Sequence, residues 1–506
     1  MLIGNSGHLN LKQRNMKPVK IFELKMDDWM KGLSSQASIA VGGLFSSGTN
    51  FDPFEISGMM QCSLASVVAS DLSITNTPTV LTSWSQVGTA KLYAHTPNKI
   101  YEVLDGTPYT TVEKTAQISV ATAVRGAIIY QGKYVYSLET SVRSNTLPVA
   151  SASDIRSQNG ASSSGIWHPL VVGADKNLYQ MDFETLNKIT NTTVADSGSN
   201  TLGVINLEAG MYARHAVNDG RYLVILADNN PTGDYNIVGG TVPPVPIAGN
   251  YRCQVLYWDM VKSTFDQIFE FNDSYLIGGA LLDSAVYVFS GNGIYVTNIA
   301  TAPKQIFSFK AGSTITEKPQ NPFQITQSKN SIYWTGQSNG SVYAYGSLFP
   351  GMKKVFYQPF ASNYTSSAIT NNGTNFYMGT SGTDNFLRVT GTGSARNTGS
   401  VITAPIVLPN PYKFAFAKVV MQQPLDASAS VDVSVNSNNG NKVVTASNTK
   451  AFSQVGSKQS LIFERKSSGG ADPAVFEDFQ LLLSSNRAVA RVELWAYPVD
   501  DYSQTV

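Results

Sequence analysis

Short apolar runs joined by polar turns recur along the middle of this chain. In residues 168–182, "HPLVVGADKNLYQMD", two runs rich in Val, Leu and Tyr flank the turn Asp175-Lys176-Asn177. Each run is too short for a typical helix and is built from residues that favour strands, which predicts a β-hairpin. Six further places show the same pattern: residues 92–103, 127–138, 286–296, 332–345, 376–389 and, split by an insert, 221–228 with 251–259.

These seven hairpins recur at roughly 35 to 50 residues, the length of a β-propeller blade, which is a four-stranded sheet covered by its neighbours. Their second strands usually carry an aliphatic residue followed by an aromatic one, as in Ile100-Tyr101 and Ile294-Tyr295. Six, seven or eight blades fit the irregular spacing, and seven fit best. The insert at residues 229–250 is rich in proline, which cannot donate a ladder hydrogen bond, so we interpret it as a loop inside one blade.

Residues 1–62 lack this alternation and are predicted to form an extended arm. The segment begins with basic residues, and its large apolar side chains are spread among Gly, Ser and Pro. Such an arm must lie on another surface. Its own propeller and a neighbouring subunit are the two candidates, since protomers commonly assemble by exchanging an extended element. The candidate assembly contacts are five aromatic anchors: Phe22, Trp29, Phe45, Phe51 and Phe54.

The predicted propeller covers residues 63–398, and a second all-β domain follows at residues 399–506. Segments such as "VDVSV" (residues 431–435) alternate strictly, which buries one face of a strand and leaves the other wet. About seven such strands over roughly 100 residues fit a β-sandwich. Inside the propeller, the Ser-rich residues 139–165 are predicted to be a long blade connection or a surface excursion. The predicted fold is therefore all-β: an irregular propeller of about seven blades, an N-terminal arm and a C-terminal sandwich.

Composition and charge narrow the range of partners. Charged residues make up 14% of the chain, and 36 basic residues against 35 acidic ones give a net charge of +1. No global field therefore attracts nucleic acid or an anionic membrane. The N-terminus lacks the apolar core of a secretory signal, and we expect synthesis in the cytoplasm without membrane insertion. The two cysteines, Cys62 and Cys253, are expected to be buried thiols rather than a disulfide framework.

No motif for catalysis, a cofactor or a metal is found in the sequence. The spacing of a zinc site is missing from the four histidines: His8, His95, His168 and His215. A nucleophile elbow and a phosphate-binding loop are also missing. The most suggestive carboxylates each lie at a turn or strand end, where Asp is favoured locally: Asp175, Asp182, Asp259 and Asp283. We therefore predict no catalytic, cofactor-binding or metal-binding residue and no enzymatic activity.

The layout of arm, irregular propeller and C-terminal sandwich resembles a class of tailed-bacteriophage virion proteins, especially the tail nozzle or tail accessory proteins of short-tailed phages. The passages that carry the resemblance are "NFDPFEISGMMQ" (residues 50–61), the strands "KIYEV" and "NLYQM", and "ARVELWAYPV" (residues 490–499). The likeness is one of architecture and extends over most of the chain.

The resemblance implies a non-enzymatic virion structural protein, a tail ring component that forms part of the DNA-exit channel and joins portal-proximal to distal tail proteins. It implies a homo-oligomeric ring, with a hexamer as one form, contacts with tail and portal-adaptor proteins, and passive contact with phage DNA. It places the protein in the virion tail after assembly in the host cytoplasm, without a cofactor. Three alternatives stay open: a carbohydrate-binding or glycoside-cleaving propeller, a capsid-attached virion component, and a cytoplasmic scaffold propeller that binds peptides.

Overall fold

The chain folds almost entirely into antiparallel strands, as its alternating pattern predicts. The computed structural model describes residues 17–33, 45–54, 61–62, 65–68, 74, 76–86, 89–97, 99–104, 110–114, 124–138, 141–147, 156–159, 167–189, 201–230, 251–310, 315, 317–328, 330–336, 341–361, 365–371, 375–381, 386–390, 398–422, 430–436, 442–446, 460–464 and 475–499. The N-terminal elements are β1 (Val19–Leu24), α1 (Met26–Trp29), β2 (Phe45–Thr49), β3 (Phe51–Asp52), β4 (Gln61–Cys62) and β5 (Ala65–Val68).

Seven antiparallel sheets, the blades, follow in chain order. Blade 1 consists of β6 (Val80–Gln86), β7 (Thr89–His95), β8 (Ile100–Leu104) and β9 (Thr110–Glu113). Blade 2 consists of β10 (Gly126–Tyr130), β11 (Lys133–Ser137), β12 (Ser141–Thr146) and β13 (Arg156–Asn159). Blade 3 consists of β14 (Leu170–Val172), β15 (Leu178–Asp182), β16 (Thr185–Ile189) and β17 (Thr201–Asn206). Blades 4 and 5 consist of β18 (Tyr212–Asn218), β19 (Leu223–Asp228), β20 (Cys253–Trp258) and β21 (Gln267–Phe271); and β22 (Leu276–Leu282), β23 (Ala285–Ser290), β24 (Gly293–Asn298) and β25 (Thr301–Ser308). Blades 6 and 7 contain β26 (Ile325–Gln327), β27 (Ser331–Thr335), β28 (Val342–Gly346) and β29 (Val355–Phe360); and β30 (Ser366–Asn371), β31 (Asn375–Thr380) and β32 (Phe386–Thr390).

The blades form a closed ring. The first strand of each blade contacts the first strand of the next, and β30 of blade 7 contacts β6 of blade 1, so seven sheets surround a central channel. Blade 7 is completed by β5, whose residue Val67 pairs with Arg388 of β32. The two ends of the channel carry different connections. One end carries the links between successive blades and the turns between the second and third strands of each blade, and we call it the upper face. The other two turns of every blade lie on the lower face, because antiparallel strands alternate in direction.

Side-chain hydrogen bonds cross every seam between neighbouring blades. Going round the ring from the seam of blades 1 and 2, the pairs are His95 with Tyr134, Tyr130 with Lys176, Asn218 with Val172, His215 with Gly279, Gln327 with Leu281, Asn371 with Gln327, and Ser83 with Asn371. In most pairs a side chain bonds to a main-chain group of the adjacent blade. The seams are therefore fixed in register as well as packed by apolar side chains.

The C-terminal strands form a nine-stranded sheet together with two strands of the arm. The C-terminal strands are β33 (Gly399–Thr403), β34 (Ile406–Met421), β35 (Val431–Asn436), β36 (Lys442–Ala446), β37 (Ser460–Glu464), β38 (Val475–Ser485) and β39 (Val489–Pro498). Strand β1 pairs with β39, and β2 pairs with β33. Long strands β34 and β38 each pair with several others, so the sheet folds over and buries alternate residues, such as Leu481 and Leu483, in one core.

The arm lies on its own chain and connects the sandwich to the propeller. After β1 and β2 join the sandwich, β3 pairs with β29 of blade 6 through Phe51 and Gln358. The side chain of Asn50 accepts a hydrogen bond from Ala361 N at 2.7 Å and donates one to Thr398 O at 3.1 Å. A single apolar core consequently runs from blades 5 and 6 through the arm into the sandwich.

The seven predicted hairpins fall in seven different blades, and the split pair around the insert is a hairpin of β19 with β20 in blade 4. Of the insert at residues 229–250, residues 231–250 lie outside the described residues. The prediction of a surface connection at residues 139–165 was wrong, because β12 and β13 are the outer strands of blade 2. Outer strands need few large apolar groups, and β12 buries only small or medium side chains, among them Val142 and Ser144.

Candidate functional site at the upper mouth of the propeller

A single turn of 3-10 helix, Pro322–Gln324, precedes blade 6 and lies across the upper mouth of the channel. Asn321 caps this turn, because its side-chain oxygen accepts a hydrogen bond from Phe323 N at 2.9 Å. The amide nitrogen of Asn321 donates to Ser367 O at 3.2 Å, and that of Gln324 donates to Ser366 O at 2.6 Å. The turn is therefore fastened to the first strand of blade 7.

The side chain of Phe323 reaches the far side of the ring. Its phenyl ring meets the indole of Trp167, in the link between blades 2 and 3, edge to face with centroids 4.9 Å apart. On the near side, a Cβ added at Gly278 of blade 5 would lie 3.1 Å from the Cα of Pro322, so the turn packs closely against this strand. The upper mouth is thus closed by aromatic packing between blades on opposite sides.

Beside this closure, a buried ion pair of blade 4 is hydrogen-bonded to blade 5. Asp228 accepts hydrogen bonds from Arg214 at 3.0 and 2.9 Å through one carboxylate oxygen, and the other oxygen accepts from Leu276 N at 2.8 Å. The same guanidinium donates to Asn230 O. Arg214 and Asp228 are only 5% and 1% exposed, and the two opposite charges compensate each other in the interior.

A second buried carboxylate, Asp273, lies in the link between the same two blades. It accepts hydrogen bonds from the hydroxyl groups of Ser290, at 2.7 Å, and Tyr295, at 2.9 Å. Burial and the nearby Asp273 charge raise the pKa of Tyr295. The thiol of Cys253 donates to Asp273 O at 3.6 Å, and burial raises its pKa, so the thiol is unreactive.

Lys318 is a half-buried cation of this region. Burial lowers the pKa of its ammonium, which donates to Gly291 O at 3.0 Å and lies 5.4 Å from the ring centre of Tyr275. A lysine with a lowered pKa is one mark of an active site. The described charged and polar groups here bond to one another and to the links between blades, an arrangement that stabilises the structure.

The carboxylates singled out in the sequence lie apart. Asp175, on the lower face of blade 3, accepts from Tyr179 at 2.6 Å, and Asp283, on the lower face of blade 5, pairs with Lys354 at 2.6 Å. Asp259 accepts main-chain hydrogen bonds within its own turn, and Asp182 accepts from Asn187 at 3.1 Å near the upper face.

The described histidines each have a packing role. His95 and His215 lie at blade seams, and the ring of His168 is within 2.9 Å of Met181 O in blade 3. His8 lies outside the described residues. Among the residues that the structure describes, no cluster of His, Cys, Asp and Glu is arranged to hold a metal ion, and no helix is long and apolar enough to cross a membrane. Of the cysteines, Cys253 is buried as expected, and the side chain of Cys62 is outside the description.

The five aromatic anchors of the arm contact the sandwich and blade 6. Trp29, Phe45 and Phe51 are completely buried; Trp29 stacks on Phe45, which meets Phe51 edge-on at 5.5 Å. Phe22 packs on Phe479 of the sandwich, and Phe54 packs on Tyr357 of blade 6. The three buried side chains are covered by their own chain. Their contact with another subunit stays a prediction.

Sequence reasoning missed the residues that matter most at the upper mouth. Arg214 and Asp228 are separated by an apolar strand, and each looks like an ordinary strand-end residue. Asn321 followed by Pro322 did carry a signal, since Asn at a cap and Pro at the first position favour a helical turn. No local sequence pattern indicates which residue the Phe323 ring contacts.

No protein family and no curated protein matches the sequence. Solved structures of β-propellers are similar in fold. A catalytically inactive virginiamycin B lyase from Staphylococcus aureus with quinupristin is 14% identical with a TM-score of 0.44, over 65% of this chain and 98% of that one. A streptogramin B lyase is 14% identical with a TM-score of 0.43, over 64% and 97%. The WD40 propeller domain of Doa1 is 11% identical with a TM-score of 0.40, over 65% and 98%. At these identities the likeness concerns the fold alone.

Proposed function

We propose that this chain is a non-enzymatic structural subunit of a larger assembly, and specifically a ring component of the tail of a short-tailed bacteriophage. In this role the propeller and the sandwich act as one rigid unit that contacts neighbouring subunits and adjoining tail proteins. The proposal keeps the resemblance in layout stated above, and it extends to passive contact with DNA in the channel of the ring.

The observation that carries the proposal is the double connection between propeller and sandwich. The chain enters the propeller through β5 and leaves it through β32, and these two strands pair with each other. On the sandwich side, β2 and β33 pair in the same way. Separating the two bodies would break the β3–β29 pairing and the bridge between Leu33 and Phe356, together with the buried core that the bodies share. Such a unit suits a protein that transmits mechanical load.

The buried polar groups of the upper mouth also favour a structural role. The Asp228 carboxylate is neutralised by Arg214, and Asp273 accepts from two hydroxyl groups. Glycoside cleavage needs two carboxyl groups facing the scissile bond. These carboxylates are instead engaged in holding blades together, which favours the structural subunit over the hydrolase alternative.

Two measurements test the proposal: one of assembly with tail proteins and one of enzymatic turnover. Purified protein would be sized by light scattering and imaged by negative-stain electron microscopy, alone and mixed with portal and tail proteins of a short-tailed phage. We expect rings or a stoichiometric complex with tail proteins, and no release of sugar from a panel of glycans. A protein that joins no tail component and cleaves or retains a glycan would overturn the proposal.

A further inference from the structure

Four buried aromatic side chains with polar atoms fill the seam between blades 1 and 2. Tyr93 and His95 come from β7, Tyr134 and Tyr136 come from β11, and all four are fully buried. The imidazole of His95 lies nearly parallel to the Tyr134 ring with centroids 5.4 Å apart, and the Tyr136 centroid is 6.0 Å away. This seam therefore depends on polar rings, whereas valine and leucine side chains predominate at the seam between blades 4 and 5.

The bond that His95 makes across the seam joins two side chains. Its Nε2 meets the hydroxyl group of Tyr134, and its Nδ1 has no hydrogen-bond partner among the residues that the structure describes. At each of the other six seams, a side chain bonds to a main-chain group. Both partners of the bond between blades 1 and 2 are therefore side chains that can gain or lose a proton.

A neutral imidazole suits this position, and an imidazolium does not. The neutral ring has one N–H group and one bare nitrogen, so Nε2 and the Tyr134 hydroxyl group can share a single proton. The imidazolium of His95 would have two N–H groups, and the one at Nδ1 would lie in the interior without an acceptor among the described residues, which is costly. Burial correspondingly lowers the pKa of His95 to about 3.

The charged groups beside the seam do not favour a further cation. Glu102 lies opposite Tyr93 in the strand register, but it is already paired with Lys114 at 3.3 Å. In blade 2, Arg143 lies opposite Tyr136. The alternation of β10, whose Ala127 packs on this cluster, extends back to one more cation. The described charged groups beside the seam are thus one carboxylate and three cations: Glu102, Lys114, Arg125 and Arg143.

We propose that the ring of blades opens in acid at the seam between blades 1 and 2, while the other seams and the sandwich stay closed. Separation of the two blades brings His95 into contact with water, where its imidazole takes up a proton and both of its N–H groups are hydrated. The inference goes beyond the proposed function. It concerns the single chain, whether or not that chain assembles with tail proteins.

A second histidine, His215, lies at the seam between blades 4 and 5, but further bonds hold that seam. Asp228 of blade 4 accepts from Leu276 N of blade 5 at 2.8 Å. The side chain of Asn230 donates to Ser274 O, in the link to blade 5, at 3.3 Å. Protonation of His215 alone therefore leaves these two blades joined.

The size of the effect follows from the proton equilibrium of His95. In the open state its pKa takes the ordinary value of about 6.5, so protons favour opening below this value and have no effect above it. In the closed state the imidazole stays neutral down to a pKa of about 3. Between about pH 7.5 and about pH 4.5, the ratio of open to closed seam should therefore rise roughly 100-fold.

Thiol labelling at buried positions measures the opening of each part of the full chain. Val80→Cys reports on the seam between blades 1 and 2, the native Cys253 reports on that between blades 4 and 5, and Val433→Cys reports on the sandwich, since all three side chains are buried. Cys62→Ser removes the remaining thiol. Dithiodipyridine reacts with thiols in acid, and mass spectrometry of peptides gives the labelling rate at each position relative to a free cysteine peptide.

We expect the rate at the Val80→Cys position to rise roughly 100-fold between about pH 7.5 and about pH 4.5, and to exceed the rates at the other two positions in acid by on the order of tenfold or more. Val124→Cys, in the same cluster, is a second reporter and should behave alike. His95→Gln should abolish the rise, because glutamine takes up no proton. His215→Gln is the matched control and should leave the rise unchanged.

Three results would overturn the inference. If all reporters become reactive at the same pH, acid unfolds the chain as a whole. If Cys253 or the sandwich reporter reacts first, another part of the chain opens. If a folded His95→Gln variant keeps the rise, a different group controls the seam. The order in which the reporters react decides the matter even if His95→Gln does not fold, and none of these results depends on assembly with tail proteins.

Discussion

The indole of Trp167 and the phenyl ring of Phe323 meet 4.9 Å apart, although they belong to links on opposite sides of the seven-bladed ring. Neighbouring blades are already joined by hydrogen bonds at every seam. This aromatic pair adds a contact across the ring, so the upper mouth resists distortion of the propeller from a circular to an oval outline.

Phe323→Ala should lower the free energy of unfolding by about 2 kcal/mol, below the range of fully buried phenylalanines because the ring is half-buried. Denaturant unfolding followed by tryptophan fluorescence measures the change, since Trp167 loses its neighbour. The exposed Leu202→Ala on the edge of blade 3 is the control and should leave the midpoint unchanged. Equal effects of the two substitutions would show that the cross-ring contact contributes nothing.

Asp228→Asn should destabilise the protein by about 3 kcal/mol, because it removes the charge of a buried carboxylate that accepts hydrogen bonds from Arg214 and from Leu276 N. Glu270→Gln is the matched control: it removes a carboxylate from the exposed network of Arg252 and should leave the unfolding midpoint unchanged. Chemical denaturation of the two variants and the wild type tests this. If Asp228→Asn lowers the free energy of unfolding only slightly, other groups compensate the charge of Arg214.

The protein should lose stability in mild acid through its buried histidines. Burial lowers the pKa of His95 to about 3 and that of His215 to about 4. A histidine in the unfolded chain has a pKa of about 6.5. Below about pH 6.5 the unfolded chain therefore binds protons at these positions, whereas the folded chain does not. Stability is therefore present above about pH 6.5 and is lost as the pH falls toward the folded values, by roughly 1.4 kcal/mol per pH unit for His95.

Urea unfolding at several pH values measures this slope. His95→Gln should flatten it, because glutamine cannot take up a proton. Tyr134→Phe removes the hydroxyl group that meets His95 but keeps the histidine, so it should shift all points and preserve the slope. An unchanged slope in His95→Gln would assign the acid sensitivity to other groups.

Trp29 should be the most important anchor of the arm. Its side chain is fully buried, stacks on Phe45 and donates through Nε1 to Ala490 O at 3.0 Å. Trp29→Ala should cost about 4 kcal/mol, whereas Trp29→Phe, which keeps an aromatic ring and loses the hydrogen bond, should cost less than half of that. Denaturant unfolding of the wild type and both variants measures these losses. If Trp29→Ala leaves the free energy of unfolding unchanged, the strand ladders alone hold the arm in place.

The hairpins were predictable because both strands of each lie close together in sequence and share one local pattern. The partners of the arm were not. Val19 pairs with Ala496 and Phe45 pairs with Thr403, and no local pattern marks residues so far apart as neighbours. The arm was expected on the propeller or on another subunit, and most of its pairing is with the sandwich instead.

Polar contacts at the upper mouth were also beyond prediction. A buried Asp at the end of an apolar strand, such as Asp228, has the same local sequence as an Asp that begins a solvated turn. Only the tertiary position of Arg214 distinguishes the two. The seam hydrogen bonds are similar, because side chains such as Asn371 bond to main-chain groups that every sequence supplies.

The pairing of the first strands with the last has a consequence for synthesis. Blade 7 lacks its outer strand until β32 meets β5, and β1 has no partner until β39 is made. At roughly 5 to 20 residues per second, the first strand waits on the order of half a minute or more beside an unfinished chain. Its open edge is then a site for pairing with a neighbouring nascent chain, so crowded ribosomes on one message should favour strand-exchanged aggregates.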